Sequence, residues 1–221
     1  MAASGYRLPG LSHRHTIIGR TGSGKTQLGA WALSHSPFDV QPYVVIDYKH
    51  DVLLNACPHI EEIGLGEVPT HPGLYIVHPT AQTDNEAVES WLWRVHQREN
   101  VGLYVDEGYM LPDFGALRAI LTQGRSKRIP LTILTQRPVW VTRFAISEAD
   151  FYTVFALNSS RDKKIVEDFL PRKALDGEVP QYHSRWYDVA RNRLLTLKPV
   201  PRAEEIVERL TDRLKPRRRK L

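Results

Sequence analysis

Gly19-Arg20-Thr21-Gly22-Ser23-Gly24-Lys25-Thr26 decides how the rest of this chain is read. It fills every position of the G-x-x-x-x-G-K-[ST] pattern of a phosphate-binding loop, the Walker A element. The run Thr16-Ile17-Ile18 before it suits a strand and Gln27 to Leu33 after it suits a helix, which is the strand–loop–helix setting that the pattern needs. Glycines let the backbone turn tightly enough for its N–H groups to face an anion, aided by the positive end of the following helix. Lys25 supplies a mobile point charge for the β and γ phosphates, and Thr26 a hydroxyl for Mg²⁺, an ion that prefers oxygen ligands. A glycine-rich turn that binds nothing is the alternative; complete matching and both flanks argue against it.

Working outward, Val101-Gly-Leu-Tyr-Val105 followed by Asp106-Glu107 reads as a buried strand ending in two acids, a Walker B element. Asp106 is suited to the shell of a metal ion and Glu107 to polarising an attacking water. Either acid alone could simply end a strand. Leu131-Thr-Ile-Leu-Thr135 is a further strand, ending in Gln136-Arg137-Pro138. A glutamine there can orient water or sense a γ phosphate; on its own the position reads equally as an ordinary polar strand end.

Further strands are expected at Tyr43–Ile46 ending at Asp47, at 73–77, and at 151–157, with a hairpin from Arg185 to Leu197 turning near residues 190–192. Helices are expected to about His35, over 84–99 with Val88, Trp91, Leu92 and Val95 on one face, around Leu117–Leu121, over 164–170, and after residue 201 with Ile206, Val207, Leu210 and Leu214 as its stripe. Buried strands alternating with helices predict an α/β fold, a mainly parallel sheet flanked by helices on both faces. Residues 1–200 read as one domain, with 1–13 as an N-terminal arm and 201–221 as a C-terminal helix and basic tail. Ligands in such sheets lie at the carboxyl ends of the strands, where all these polar signals fall.

Composition narrows the classes. A chain of 221 residues is long enough to bury one substantial core. Cys57 is the single cysteine, which excludes an internal disulfide and any cysteine-cluster zinc site and suits a reducing compartment. His13-Arg-His15 is too lean for a metal site and reads as solvated or phosphate-adjacent. No apolar run approaches the roughly 20 residues needed to span a bilayer, and no signal peptide is legible. The net charge of +5 comes from Lys215, Arg217, Arg218, Arg219 and Lys220, leaving the body balanced. Trp91 and Trp93, two apart on a helix, face different ways and read as packing rather than as a base-stacking pair.

Taken together, Gly19–Thr26, Val45-Ile-Asp47-Tyr-Lys49, Tyr104-Val-Asp-Glu107 and Leu134-Thr-Gln-Arg-Pro138 resemble the FtsK/HerA superfamily of DNA-translocating ATPases over residues 14 to 160. The resemblance implies a RecA-like (ASCE) core in which the strand ending at Gln136 lies between the Walker A and Walker B strands. It implies a homo-oligomeric ring, usually hexameric, acting on double-stranded DNA with ATP and Mg²⁺. Gly19, Arg20, Thr21, Gly22, Ser23, Gly24, Lys25 and Thr26 would bind the nucleotide, and Thr26 and Asp106 the metal. Glu107 would activate water, Gln136 would sense the γ phosphate, and Arg125, or Arg128 as the second candidate, would reach into the neighbouring subunit's site. The anchor and winged-helix domain of FtsK proper and the N-terminal barrel of HerA are not in this sequence. That economy is similar to the genome-packaging ATPases of tailless viruses with an internal membrane, the tectivirus-like group. It implies a capsid or membrane-embedded portal partner and a place in the host cytoplasm or with the virion.

Other readings stay open on the sequence. DNA transfer or helicase work in conjugation or repair uses the same chemistry. A P-loop small-molecule kinase would need an acceptor pocket, which residues 52–72 could hold. Asn158-Ser-Ser-Arg-Asp162 does not match the guanine signature of a GTPase. A nucleotide-binding assembly factor without turnover would not need Glu107. Asp47 and Lys49 read either as a link from the nucleotide site to DNA or as a strand-end salt bridge.

Overall fold

Runs of apolar residues with no polar face can rest only inside a sheet covered on both sides, and these runs form the middle of one. The computed structural model describes residues 6–215. In chain order it contains β1 (Arg14–Ile18), α1 (Lys25–Leu33), β2 (Pro42–Asp47), α2 (Val52–Asn55), β3 (Glu61–Glu62), β4 (Gly73–Val77), α3 (Asn85–Arg98) and β5 (Gly102–Asp106). It continues with α4 (Ala116–Gln123), β6 (Leu131–Thr135), α5 (Arg143–Ser147), β7 (Phe151–Val154), α6 (Ser160–Glu167), β8 (Ser184–Asp188), β9 (Arg193–Leu197) and α7 (Ala203–Leu214). Short 3₁₀ turns occupy Gly108–Met110, Pro138–Trp140 and Arg172–Ala174.

The strands form one nine-stranded sheet in the order β3-β4-β2-β5-β6-β1-β7-β8-β9. Pairing from β3 to β7 is parallel, and the β8–β9 hairpin adds two antiparallel strands at one edge. As expected, β6 lies between β5 and β1. That order sets the tips Asp106, Gln136 and Gly19 side by side, although they are far apart in the chain.

Successive residues of a strand point to opposite faces, and the core divides accordingly. Val44 and Ile46 pack with Trp91, Leu92, Leu117 and Ile120 beneath α3 and α4. Val45 packs with Leu28, Leu33, Leu134, Ile206 and Leu210 beneath α1 and α7. Gly29 lets α1 approach the sheet: a Cβ there would lie 2.5 Å from the Tyr104 hydroxyl and 2.7 Å from Leu134. Trp91 is fully buried while Trp93 is half-exposed, so the two indoles point apart.

Several boundaries differ from expectation. The first helix ends at Leu33 and β7 stops at Val154, short of Leu157. Helix α6 begins at Ser160 rather than 164 because the Ser159 side chain accepts the Asp162 N–H and caps it. The stretch 52–72 contains α2, whose N-terminus Asp51 caps through Leu53 and Leu54 N–H groups. The tail beyond Lys215 lies outside the described residues.

His15 departs from the sequence reading. It is neither solvated nor next to the phosphate loop: it is buried in β1, with Nε2 2.8 Å from Thr153 Oγ1. Burial pushes its imidazole down from 6.5 to about 3. The unfolded chain therefore takes up a proton below pH 6.5 that the folded chain refuses until about pH 3. Stability from this site is complete above the first value and falls by about 1.4 kcal/mol per pH unit toward the second. Urea unfolding from pH 6 to 4.5 should show a His15→Asn variant losing stability less steeply, by about one proton; parallel slopes would contradict this.

Candidate nucleotide site

The loop between β1 and α1 is tied at its start, where Gly19 N–H donates to the Thr135 carbonyl at 3.1 Å. Gly22 and Gly24 have φ of 75° and 91°, a conformation in which a side chain is strained. No side chain caps α1 at Gly24, so the first N–H groups of the helix remain available to an anion in the loop. Lys25, the first residue of α1, is buried at 5% exposure. Its Nζ lies 3.6 Å from Asp106 Oδ1 and 3.5 Å from Glu107 Oε1.

Thr26 Oγ1 donates to Asp106 Oδ2 at 3.3 Å. Asp106 Oδ1 is buried without a hydrogen-bond partner. A carboxylate oxygen without a hydrogen bond, beside a hydroxyl, is a set of oxygen ligands that fits Mg²⁺. Burial raises the Asp106 pKa and Lys25 opposes it; a bound dication would favour the charged form further.

Glu107 follows on the same strand end, in a left-handed backbone conformation with φ of 65°. Its side chain is fully buried. Oε1 accepts from Gln136 Nε2 at 2.6 Å and from Lys49 Nζ, while Oε2 is buried without a partner. Burial pushes its pKa up, but the Lys49 bond, the Lys25 charge and the Gln136 bond hold it below the usual range. Gln136 in turn accepts from Thr21 Oγ1 at 2.5 Å through its Oε1. A chain of hydrogen bonds therefore runs from the phosphate loop through Gln136 to Glu107.

Of the two readings of Asp47 and Lys49, the strand-end salt bridge takes a different partner: the Lys49 ammonium pairs with Glu107, not with Asp47. Asp47 is fully buried and accepts from Lys49 N at 3.1 Å, Asp51 N at 2.8 Å and Asn55 Nδ2 at 2.9 Å. These bonds shape the turn after β2, and the Lys49 ammonium then reaches Glu107 instead of Asp47. The Asp-x-Lys spacing was the signal in the sequence. Its destination was not legible, because it depends on β2 lying beside β5, with Asp47 opposite Asp106.

A cavity of about 230 Å³ opens here, walled by residues 20–22 and 24–27 and by Lys49, Glu107 and Gln136. It is flanked on the Gly24 and Gln27 side by a space of about 380 Å³ against Tyr182 and Val200. On the Thr21 and Gln136 side lies one of about 330 Å³ against Trp140 and Asp162. A cavity of about 510 Å³ between α1 and α7 contains no residue of the expected site.

Of the expected residues, Gly19 to Thr26, Asp106, Glu107 and Gln136 converge; Arg125 and Arg128 do not. Both are exposed, in the turn between α4 and β6. That turn is at the amino ends of the strands, with Arg125 acting electrostatically on His13. The length of β6, about 3.3 Å per residue, separates it from the phosphate loop of its own chain.

No family model matches the chain. It is 41% identical over 213 residues to the DNA packaging ATPase P9 of Enterobacteria phage PRD1, covering 92% of this chain and 94% of that protein. Its structure is similar to that of the genome packaging NTPase B204 from Sulfolobus turreted icosahedral virus 2, solved with ATP-gammaS. The TM-score is 0.69 at 18% identity, over 86% of this chain and 99% of that one. The pCW3 conjugation coupling protein TcpA matches with a TM-score of 0.55 at 13% identity, over 90% of this chain and 65% of that one. Both structural likenesses show the P-loop NTPase fold.

Proposed function

The chain belongs to the family of viral DNA-packaging ATPases that includes P9 of phage PRD1, and on that footing we propose that it hydrolyses ATP with Mg²⁺ to drive double-stranded DNA into a preformed capsid. The observation that carries this reading is the convergence of Glu107 and Gln136 over Lys25 and Thr26 at the ends of adjacent strands. A phosphate-binding site without turnover has no use for a buried carboxylate and an amide bonded to each other beside the phosphate loop.

The loop N–H groups and Lys25 hold the phosphates, with residues 19–26 as the nucleotide cradle. Thr26 and Asp106 would hold Mg²⁺, which would supply positive charge against the negative charge that develops on the phosphates. Glu107 accepts the proton of the attacking water, and Gln136 orients that water while reporting the γ phosphate to Thr21 and the loop. Gln136 leads directly into Arg137, which pairs with Asp162 at 3.0 Å and lies over the Trp140 ring. Arg125 works in the next subunit, which calls for a head-to-tail ring, a hexamer on the superfamily pattern.

Residues 1–200 serve as the motor domain, with 201–221 as its appended helix and tail. Among the described residues no helix is long and apolar enough to cross a membrane. Docking to a capsid or to a membrane-embedded portal protein places the working enzyme in the host cytoplasm or on the virion.

The test is steady-state hydrolysis against protein concentration, with and without linear duplex DNA. The rate per chain should rise with concentration and with DNA. The DNA effect should weaken as salt rises, since backbone contacts release counterions. A rate indifferent to DNA and to concentration would overturn the translocase reading and point to a phosphoryl acceptor other than water.

A further inference from the structure

We propose that the nucleoside part of the substrate lies in the space of about 380 Å³ beside Gly24 and Gln27, its base stacked on Tyr182 and held by its face alone, so that the enzyme takes GTP as well as ATP. The proposal rests on the nucleotide-hydrolysis reading above and names a specificity-determining residue for that same site.

The phosphate loop fixes which way a nucleotide runs. Glu107 and Gln136 mark the γ end of the 230 Å³ cavity, and Thr21 and Gln136 also border the space of about 330 Å³ toward Trp140. A triphosphate with its last group at Gln136 therefore leaves the loop over the first turn of α1, at Gly24 and Gln27. These two residues line both the phosphate cavity and the 380 Å³ space, so the two are continuous. The volume falls within the roughly 300–1,000 Å³ of small-molecule clefts.

Tyr182 presents an aromatic face there. His183 N–H donates to the Pro180 carbonyl at 3.0 Å, and this turn before β8 leaves Tyr182 in a left-handed conformation with φ of 62°. That conformation is uncommon and costly for a bulky residue. The ring lies over the phosphate loop: a Cβ at Gly24 would come within 3.2 Å of its Cδ1. Even so, the side chain is 50% exposed, so a face remains open for a base to cover. A further wall is the connection from β9 to α7, which Gln27 ties to α1 by donating from Nε2 to the Pro201 carbonyl at 2.6 Å.

The lining decides how much of the base is read. Leu28, Phe155, Pro199 and Val200 offer apolar surface, and the lining residues with polar side chains are Gln27, Tyr182 and Arg202. The Gln27 amide nitrogen is committed to Pro201. Arg202 is exposed, where water competes for its guanidinium. A site that hydrogen-bonds a defining group of its substrate rejects analogues lacking that group by roughly 10⁴-fold or more. Stacking, by contrast, is indifferent to which base presents its face. Adenine and guanine share one ring system and should be held nearly alike.

Titration with ATPγS, GTPγS and tripolyphosphate, each with Mg²⁺, is the test. The parent should bind ATPγS and GTPγS within about tenfold of each other. Tyr182→Ala should lose roughly 5- to 100-fold for both nucleotides, the span of one base–aromatic stack, and keep its affinity for tripolyphosphate within about twofold. Tyr182→Phe keeps the ring and should match the parent.

Loss of tripolyphosphate along with the nucleotides would overturn the proposal by showing that Tyr182 only shapes the loop. Unchanged nucleotide affinity in Tyr182→Ala, or a loss in Trp140→Ala in its place, would put the base elsewhere. A wider gap between ATPγS and GTPγS in the parent would reveal a reader of the base edge and overturn the face-only grip. In each of these cases a parent that binds nucleotide keeps the wider reading, which falls only if the parent binds neither nucleotide.

Discussion

Glu107→Gln lowers ATP turnover roughly 10²- to 10⁴-fold and leaves nucleotide binding in place. The substitution keeps the size of a fully buried side chain at a backbone position with φ of 65°, so the strand end does not move. The amide oxygen still accepts from Gln136, but it cannot take a proton from water. Removing one of the two anions that face Lys25 and Lys49 also leaves the cavity more positive, so the nucleotide should bind as tightly or more tightly. Phosphate release and titration with a fluorescent ATP analogue measure the two halves separately. Turnover within a few-fold of the parent would show that Glu107 is not the base. Loss of binding would show that its charge holds the empty site together.

Arg125→Ala should reduce turnover by roughly 10³- to 10⁵-fold, the span observed for trans-acting arginines, without changing nucleotide affinity. The fold supplies the reason for that separation. Arg125 stands at the amino ends of the strands and the phosphate loop at their carboxyl ends; no rotamer of a single arginine spans the sheet. Its guanidinium can therefore meet a γ phosphate only across a subunit boundary. Mixing provides the decisive measurement. Arg125→Ala and Lys25→Ala proteins should each be inactive, whereas a mixture would form interfaces where an intact phosphate loop meets an intact arginine, and activity should reappear. No recovery, at concentrations where the parent is active, would sink the shared site. Collapse in Arg128→Ala instead would move the role three residues along the same turn.

Much of the candidate site is legible in the sequence. Gly22 and Gly24 had to be glycine because the loop turns through left-handed conformations, and the residue pattern Gly-Lys-Thr is short-range enough to carry its own geometry. Asp106 and Gln136 were legible because parallel strands of a buried sheet end together and place polar tips in one row. His15 was not. Its neighbours in sequence are polar and basic, and only the pairing of β1 with β7 shows that Thr153 lies beside it in a dry interior. The start of α6 was missed for a smaller reason: the Ser159 cap lies outside the apolar pattern that marked the helix.

Local chemistry, then, was determined by the sequence alone: which residues can cradle a phosphate, hold a dication or accept a proton, and which runs must be buried. These follow from side-chain type and from spacings of a few residues. The meeting of Lys49 with Glu107, 58 residues apart, was decided only by the tertiary structure, as was the exile of Arg125 to the far end of its own sheet. Strand order governs both, because a contact between distant residues depends on which strands the fold sets side by side, and no spacing along the chain records that choice.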